Sequence, residues 1–292
     1  MSTKSLELVV SPSAPHFVGD GFRVHNFVPS AYKLDMKRMD PIIMLDYNSK
    51  YTFEPSLEPK GVGVHPHRGF ETVTIAYKGK IEHHDSSGGG GVIAEGDVQW
   101  MTAASGVLHK EFHEKEWSKK GGEFQMVQMW VNLPAKYKMS TPKYQALENS
   151  KMSRVQLEHS AGEVEIIAGE YQGISGAAST FTPLHLYNAR INKGANANFS
   201  FPSHFNTGLL VVEGSIKVNN SQEVPTDHFV LMANDGEDFV VQASSDALVL
   251  VLSGEPINEP IASHGPFVMN TREEIVQAFE DYNNGKFGYL AD

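Results

Sequence analysis

The strongest constraint in this 292-residue chain is the stretch from His65 to Glu111, where potential metal ligands come in two pairs, each spaced i and i+2. His65-Pro66-His67 opens it, followed by Arg68-Gly69-Phe70-Glu71-Thr72-Val73-Thr74. Gly96-Asp97-Val98-Gln99-Trp100-Met101-Thr102 and then Gly106-Val107-Leu108-His109-Lys110-Glu111 close it. On a strand, side chains two apart point to the same face. His65 and His67 can therefore converge on one point, and so can His109 and Glu111. Three imidazoles and a carboxylate suit a borderline divalent ion such as iron, manganese, copper, nickel or zinc. With no cysteine in the chain, histidine and carboxylate are the ligands available.

Composition narrows the setting. The chain is 40% hydrophobic and 20% charged, with 26 Gly and 15 Pro, a profile that suits a turn-rich, strand-dominated soluble protein of one large or two ordinary domains. A formal charge of −11 argues against a broad electrostatic grip on nucleic acid. Met1-Ser2-Thr3-Lys4 is not a basic-plus-apolar leader, and no apolar run is long enough to span a bilayer, so a cytoplasmic location without membrane contact is the expectation.

Strands are expected at residues 6–10, 41–47, 70–77, 81–84, 97–102 and 124–131, with a Pro-rich connector at 54–61 and a charged loop at 114–122. The last of these strands would put Met126, Gln128 and Trp130 on one face. The Gly88-to-Gly91 run is no phosphate loop, because strand-like sequence follows it where a helix N-terminus would be needed. A second β-rich run spans 155–252. In it the hairpin around Gly214 resembles the one around Gly79, but counting 14 back from Gly214 meets Ser200, and then Pro202, where the first hairpin has His65 and His67. Two related barrel halves are inferred, only the first metal-binding. Thr271 with Glu274 offers a capping box for a closing helix at 271–283.

Taken together, HPHRGFETVT, GDVQWMTA with GVLHKE, MWVNLP, and late in the chain SGEPINEP with HGPFVMNTREEI resemble the pirin family, over nearly the whole length and in the same order. That resemblance implies an all-β fold of two cupin (jelly-roll β-barrel) domains packed together, with a short C-terminal helix. The expected division is a metal-binding domain at 1–135, a connector at 136–154 and a second domain without ligands at 155–292. It further implies one Fe(II), with Mn, Cu, Ni, Co or Zn as alternatives, held by His65, His67, His109 and Glu111. The implied activity is dioxygenase cleavage of a flavonol such as quercetin, releasing carbon monoxide, with O₂ as co-substrate and Glu111 as base. The alternative it implies is an iron-dependent regulator acting through a protein partner, either a transcription factor or a metabolic enzyme.

Other residues have blander readings. Glu71 is in phase with His65 and His67 and is the carboxylate of the general cupin pattern, but Glu111 is preferred. His113 is in phase with His109 and Glu111, yet lies about 7 Å further along the strand and reads as surface or rim. His16, His25, His83 and His84 read as solvated, and His264 as structural. Trp130, Gln128 and Met126 are expected to line the barrel mouth, and Arg68 to tie its loop through a carboxylate.

Overall fold

The computed structural model describes residues 2–30 and 34–291, so Met1 and Asp292, the outer limits of the expected domains, lie outside the described residues. Strands dominate, in two compact units. No helix among the described residues is long and apolar enough to cross a membrane.

One unit comprises Ala14–Asn149 and Ile257–Asp292. Its larger sheet runs in the order Lys143–Leu147, Val98–Thr102, Phe70–Lys78, Gly122–Asn132, Ile42–Phe53, Phe22–Val28, His16–Val18. Its smaller sheet runs Gly61–His67, Val107–His113, Ile81–Asp85, Gly90–Ile93. Side chains join the two sheets across the interior, as where Gln128 of one meets Glu111 of the other. The strand Val107–His113 alternates buried and half-buried residues, with Val107, His109, Glu111 and His113 inward. That is the period-two signature of a strand with one face in the core.

The other unit comprises Met1–Ser13 and Ser150–Pro256 and repeats this plan strand for strand. Its larger sheet runs Leu6–Val10, Phe229–Met232, Asn206–Glu213, Ala247–Gly254, Leu184–Ile191, Gly162–Ala168, Ser153–Gln156. Its smaller sheet runs Asn196–Ser200, Asp238–Ala243, Ser215–Val218, Glu223–Pro225. The interior is apolar, with Tyr187, Phe199, Leu209, Phe239 and Val249 in one cluster. Both halves are cupin barrels, as the sequence suggested.

The compact units do not follow the expected boundaries, and the reason is edge pairing. Leu6–Val10 pairs with Phe229–Met232 and so belongs with the second barrel. Lys143–Leu147, inside the expected connector, fills the equivalent edge of the first barrel by pairing with Val98–Thr102. An edge strand leaves a row of unpaired backbone groups, and each barrel closes that row with a strand drawn from beyond its own hairpins. The expected loop at 114–122 also holds a short helix, Lys115–Lys120, whose N-cap Glu114 accepts from the Glu116 and Trp117 amides.

The stretch after Pro256 returns to the first barrel. The helix Arg272–Asn283 has the expected capping box, Thr271 with Glu274. Its Asp281 Oδ2 lies 2.8 Å from Arg68 Nη1, with the two side chains only 8% and 4% exposed. Arg68 also donates from Nε to the Ser105 carbonyl (2.7 Å) and lies over the Phe287 ring. The loop is therefore tied through a carboxylate, as its residue types suggested. Lys138 adds a buried cation, its Nζ donating to Gly69 O (2.7 Å), Asn132 Oδ1 (2.6 Å) and Val268 O (3.0 Å). Arg68→Met should cost roughly 3 kcal/mol, since it leaves Asp281 buried with only Lys286 as cationic partner. A urea midpoint unchanged from the parent would show that this ion pair does not hold the closing segment.

Candidate metal centre

Pairing register builds the site. His109 stands opposite His65, and Val107 opposite His67. Ring centroids are 4.1 Å apart for His65–His109, 4.7 Å for His67–His109 and 4.9 Å for His65–His67. Each ring offers a nitrogen within 4.8 Å of the others. His65 Nδ1 sits 2.8 Å from Gly63 O, and His67 Nδ1 3.4 Å from Pro266 O. A carbonyl only accepts, so both Nδ1 atoms carry the proton and both Nε2 atoms keep a bare lone pair. His109 Nε2 is buried without a hydrogen-bond partner. A dry nitrogen of this kind is costly unless something takes its lone pair. The donor set therefore fits a divalent metal ion.

Burial also sets protonation. It pushes His67 down to about 3, with the neighbouring His65 adding to the effect. His109 is driven well below the ordinary imidazole range by burial and then by His67 and His65. Both rings are held neutral, as ligands must be.

Glu111 is the fourth expected ligand; its carboxylate lies within 4.8 Å of donor atoms of His109 and His83, while the group formed by His65, His67 and His109 does not include it. Gln99 Nε2 donates to its Oε1 (3.2 Å) and Gln128 Nε2 to its Oε2 (2.8 Å). Burial alone would raise its pKa, but His83 and Gln128 outweigh that and hold the carboxyl below its usual range. Gln128 and Trp130 do face the site, with the Trp130 ring 5.2 Å from His67 and stacked on Phe70 at 4.2 Å. Met126 instead packs in a core cluster with Phe22, Phe53 and Phe124.

Glu71 is turned away. Gly69, at φ +92°, breaks the strand between His67 and Phe70 and resets the phase. Thr74 contacts Gln128 on the site side, so Glu71, an odd number of residues away, faces the opposite one. There it accepts from Thr102 Oγ1 at 2.7 Å, and burial lifts its pKa to about 7.

Three histidines differ from expectation. His83 is fully buried, not solvated, and stands opposite Glu111 in register. Its Nε2 is 3.2 Å from Asp85 Oδ2, its Nδ1 3.1 Å from Gln99 Nε2, and its ring stacks on Tyr144 at 5.3 Å. Burial opposes its charged form, yet Asp85 and Glu111 outweigh burial and raise its pKa. Counting parity from the Gly79 turn against the partner strand was the available signal. His84 is the solvated one of the pair, half exposed beside Glu82. His113 is no rim residue: it sits among Phe22, Phe53, Trp117 and Phe124, with Nε2 donating to Gly21 O at 2.8 Å. Burial lowers its pKa to about 4. His25 is also buried, against Ser49 Oγ (2.9 Å). His16 is exposed, and His264 is an exposed residue of the strand Ala262–His264 with its ring edge against Phe279.

The second barrel fills the same positions with apolar groups. Phe199 opposite Phe239 takes the place of His65 opposite His109, and Val218 opposite Val241 that of His83 opposite Glu111. The counterparts of the first pair are thus Phe199 and Phe201, not Ser200 and Pro202. The link from strand Asn196–Ser200 to the hairpin carries one extra residue, which shifts the count.

Comparison with known proteins agrees with this architecture. Residues 21–131 match the family model described as Pirin, and residues 186–288 the one described as Pirin C-terminal cupin domain. A Pseudomonas aeruginosa protein named "Putative quercetin 2,3-dioxygenase" is 44% identical over 93% of this chain and 94% of its own length. Pirin-like protein 2 of Arabidopsis thaliana is 38% identical over 93% of this chain and 82% of its own. Among solved structures, a quercetin 2,3-dioxygenase from Acinetobacter baumannii superposes with a TM-score of 0.93 at 45% identity, covering 99% of this chain and all of that one.

The buried neutral histidines make the metal-free protein acid-sensitive. His67 and His113 stay unprotonated when folded down to about 3 and about 4, whereas unfolded they titrate near ~6.5. In the window between, the unfolded state binds more protons, so stability falls as pH falls, by at most about 1.4 kcal/mol per pH unit per histidine. Urea midpoints of chelator-treated protein from pH 7 to 4.5 should show this slope, and His113→Phe should flatten it by one histidine's share. An unchanged slope in that variant would mean His113 titrates normally in the fold.

Proposed function

The chain belongs to the pirin family, and from that premise we propose that it is a metal-dependent dioxygenase cleaving a flavonol such as quercetin, with carbon monoxide released, at His65, His67, His109 and Glu111. The observation that carries this reading is the convergence of three imidazoles, with His109 Nε2 dry and unpartnered, beside a carboxylate kept ionised. His65, His67 and His109 would hold the ion by Nε2, with Glu111 as the fourth donor. Fe(II) is the proposed ion, and the same donors accept Mn, Cu, Ni, Co or Zn.

When bound, the ion supplies a Lewis acid for an enolate oxygen and an electron route to O₂. The chain supplies the rest. Glu111, charged and held at both oxygens by Gln99 and Gln128, is the group we assign to take the proton of the flavonol 3-hydroxyl. Trp130, half-buried beside His67 and backed by the buried Phe70 ring, gives a flat apolar surface for an aromatic ring. His65 is the ligand left partly exposed, which marks the side of approach.

Protein loaded anaerobically with Fe(II) and then given quercetin and O₂ should lose flavonol with matching carbon monoxide. One metal per chain is expected, and His67→Ala should lose most of it. Glu111→Gln should keep part of the metal while turnover falls by ~10²–10⁴, the usual range for a lost general base. Undiminished cleavage by that variant would end the base assignment. Absence of flavonol loss with every one of these ions would overturn the enzyme reading and leave a metal-dependent regulator working through a protein partner.

A further inference from the structure

We infer that His83, clamped by Asp85 and by the Tyr144–Gln99 pair, is a positioning residue that fixes the tautomer of His109 so that Nε2 faces the metal. This rests on the metal centre proposed above.

Tyr144 Oη lies 3.3 Å from Gln99 Oε1, and the phenol hydroxyl donates there. The amide oxygen of Gln99 is thereby turned toward Tyr144, and its NH₂ group toward the site. That NH₂ has two hydrogens and two neighbours, His83 Nδ1 at 3.1 Å and Glu111 Oε1 at 3.2 Å. In the neutral ring, which is the form the Gln99 amide can pair with, His83 Nδ1 is bare and accepts from it. The ring proton then sits on Nε2, where Asp85 Oδ2 accepts at 3.2 Å. Asp85 keeps that oxygen for the purpose, because its Oδ1 takes the Ser87 amide (2.9 Å), the Ser87 hydroxyl (2.7 Å) and the Gly89 amide (2.9 Å).

The bare His83 Nδ1 also lies 3.4 Å from His109 Nδ1. Two lone pairs cannot face each other at that distance in a dry interior, so His109 Nδ1 carries a proton and donates. Its remaining lone pair is on Nε2, the atom with no other partner. His65 and His67 have their tautomers set by backbone carbonyls. His109 alone among the three depends on side chains, and every one of them lies outside the ligand set.

The same network decides between two donor groups. His83, His109 and Glu111 also lie close enough to hold an ion. However, the Gln99 amide hydrogen directed at His83 Nδ1 occupies the one lone pair that His83 would have to give a second cation. That group is therefore a buttress and not a second metal site.

The test uses Co(II), whose affinity is read by chelator competition and whose geometry is read from its visible spectrum. His83→Phe keeps the ring and its stacking on Tyr144 but removes both nitrogens. It should weaken Co(II) binding by about 10–100-fold, the usual cost of losing such a partner of a ligating histidine. His83→Asn, whose Oδ1 stands near the lost Nδ1, should restore most of the affinity and the parent spectrum. A merely space-filling role would reverse that order. Tyr144→Phe, which deletes one oxygen and keeps the ring, gives a smaller fall in affinity, and reads the network even where His83→Phe does not fold. Parent-like Co(II) binding in His83→Phe, or in Tyr144→Phe if that is the only soluble variant, would overturn the buttress while leaving the metal centre. Binding that is equally strong in His67→Ala would overturn both. Two Co(II) per chain, one lost with His83, would make His83 a ligand and overturn the positioning role.

Discussion

The histidine cluster of the first barrel depends on the strand Val107–His113 being paired along both edges. On one edge His109 meets His65, and on the other Glu111 meets His83. Backbone hydrogen bonds thus bring five ionisable side chains into a volume from which water is largely excluded. A shift of one residue would turn all of the inward groups outward. Dry imidazoles must be neutral unless a carboxylate pairs with them, as Asp85 does with His83, and dry carboxylates must be hydrogen-bonded, or the fold loses several kcal/mol. The two glutamines answer the second demand at Glu111. The first demand leaves lone pairs without hydrogens, which is the condition a metal ion satisfies.

The second barrel shows the other way to fill the same volume. At the positions of His65, His109 and Glu111 it has Phe199, Phe239 and Val241. Phe199 and Phe239 stack at 5.5 Å, and Tyr171 and Tyr187 join them. Burying each large apolar side chain stabilises by about 1.5–3 kcal/mol and needs no ion. Identical strand order with opposite interior chemistry separates the fold from the site. The barrel is specified by hairpins and edges, and the proposed metal centre by four positions on two strands.

That separation explains what the sequence made legible. The convergence of His65, His67 and His109 could be read because the i, i+2 rule acts within one strand and needs no knowledge of the partner. The recurrent hairpins at Gly79 and Gly214 and the capping box at Thr271 are likewise local signals. For Glu71 only the facing was misread, because the phase was carried across Gly69, where the backbone turns at φ +92°. His83 was misread because its facing depends on pairing with Glu111, a contact across 28 residues. Tyr144 lay in what looked like connector, since an edge strand is defined by the neighbour it joins and leaves little pattern of its own. The aromatic cage around His113 is assembled from four separate segments, and no window of sequence contains it.

The closing segment carries the last step. Pro266 supplies the carbonyl that orients His67, Val268 one of the acceptors for buried Lys138, and Asp281 the partner of Arg68 immediately after His67. A helix that reads from sequence as simple packing is therefore tied to the loop that leads from the first ligand pair into the next strand. Gly69 sits at the centre of this arrangement. A Cβ there would come within 1.9 Å of the Val268 carbonyl oxygen, so the turn and the closing strand have no room between them for any other residue. The orientation of the His67 ring is thus set from nearly 200 residues away. The unit that holds the donors is built from both ends of that separation, which is why a boundary drawn after residue 135 would divide the site from its own support.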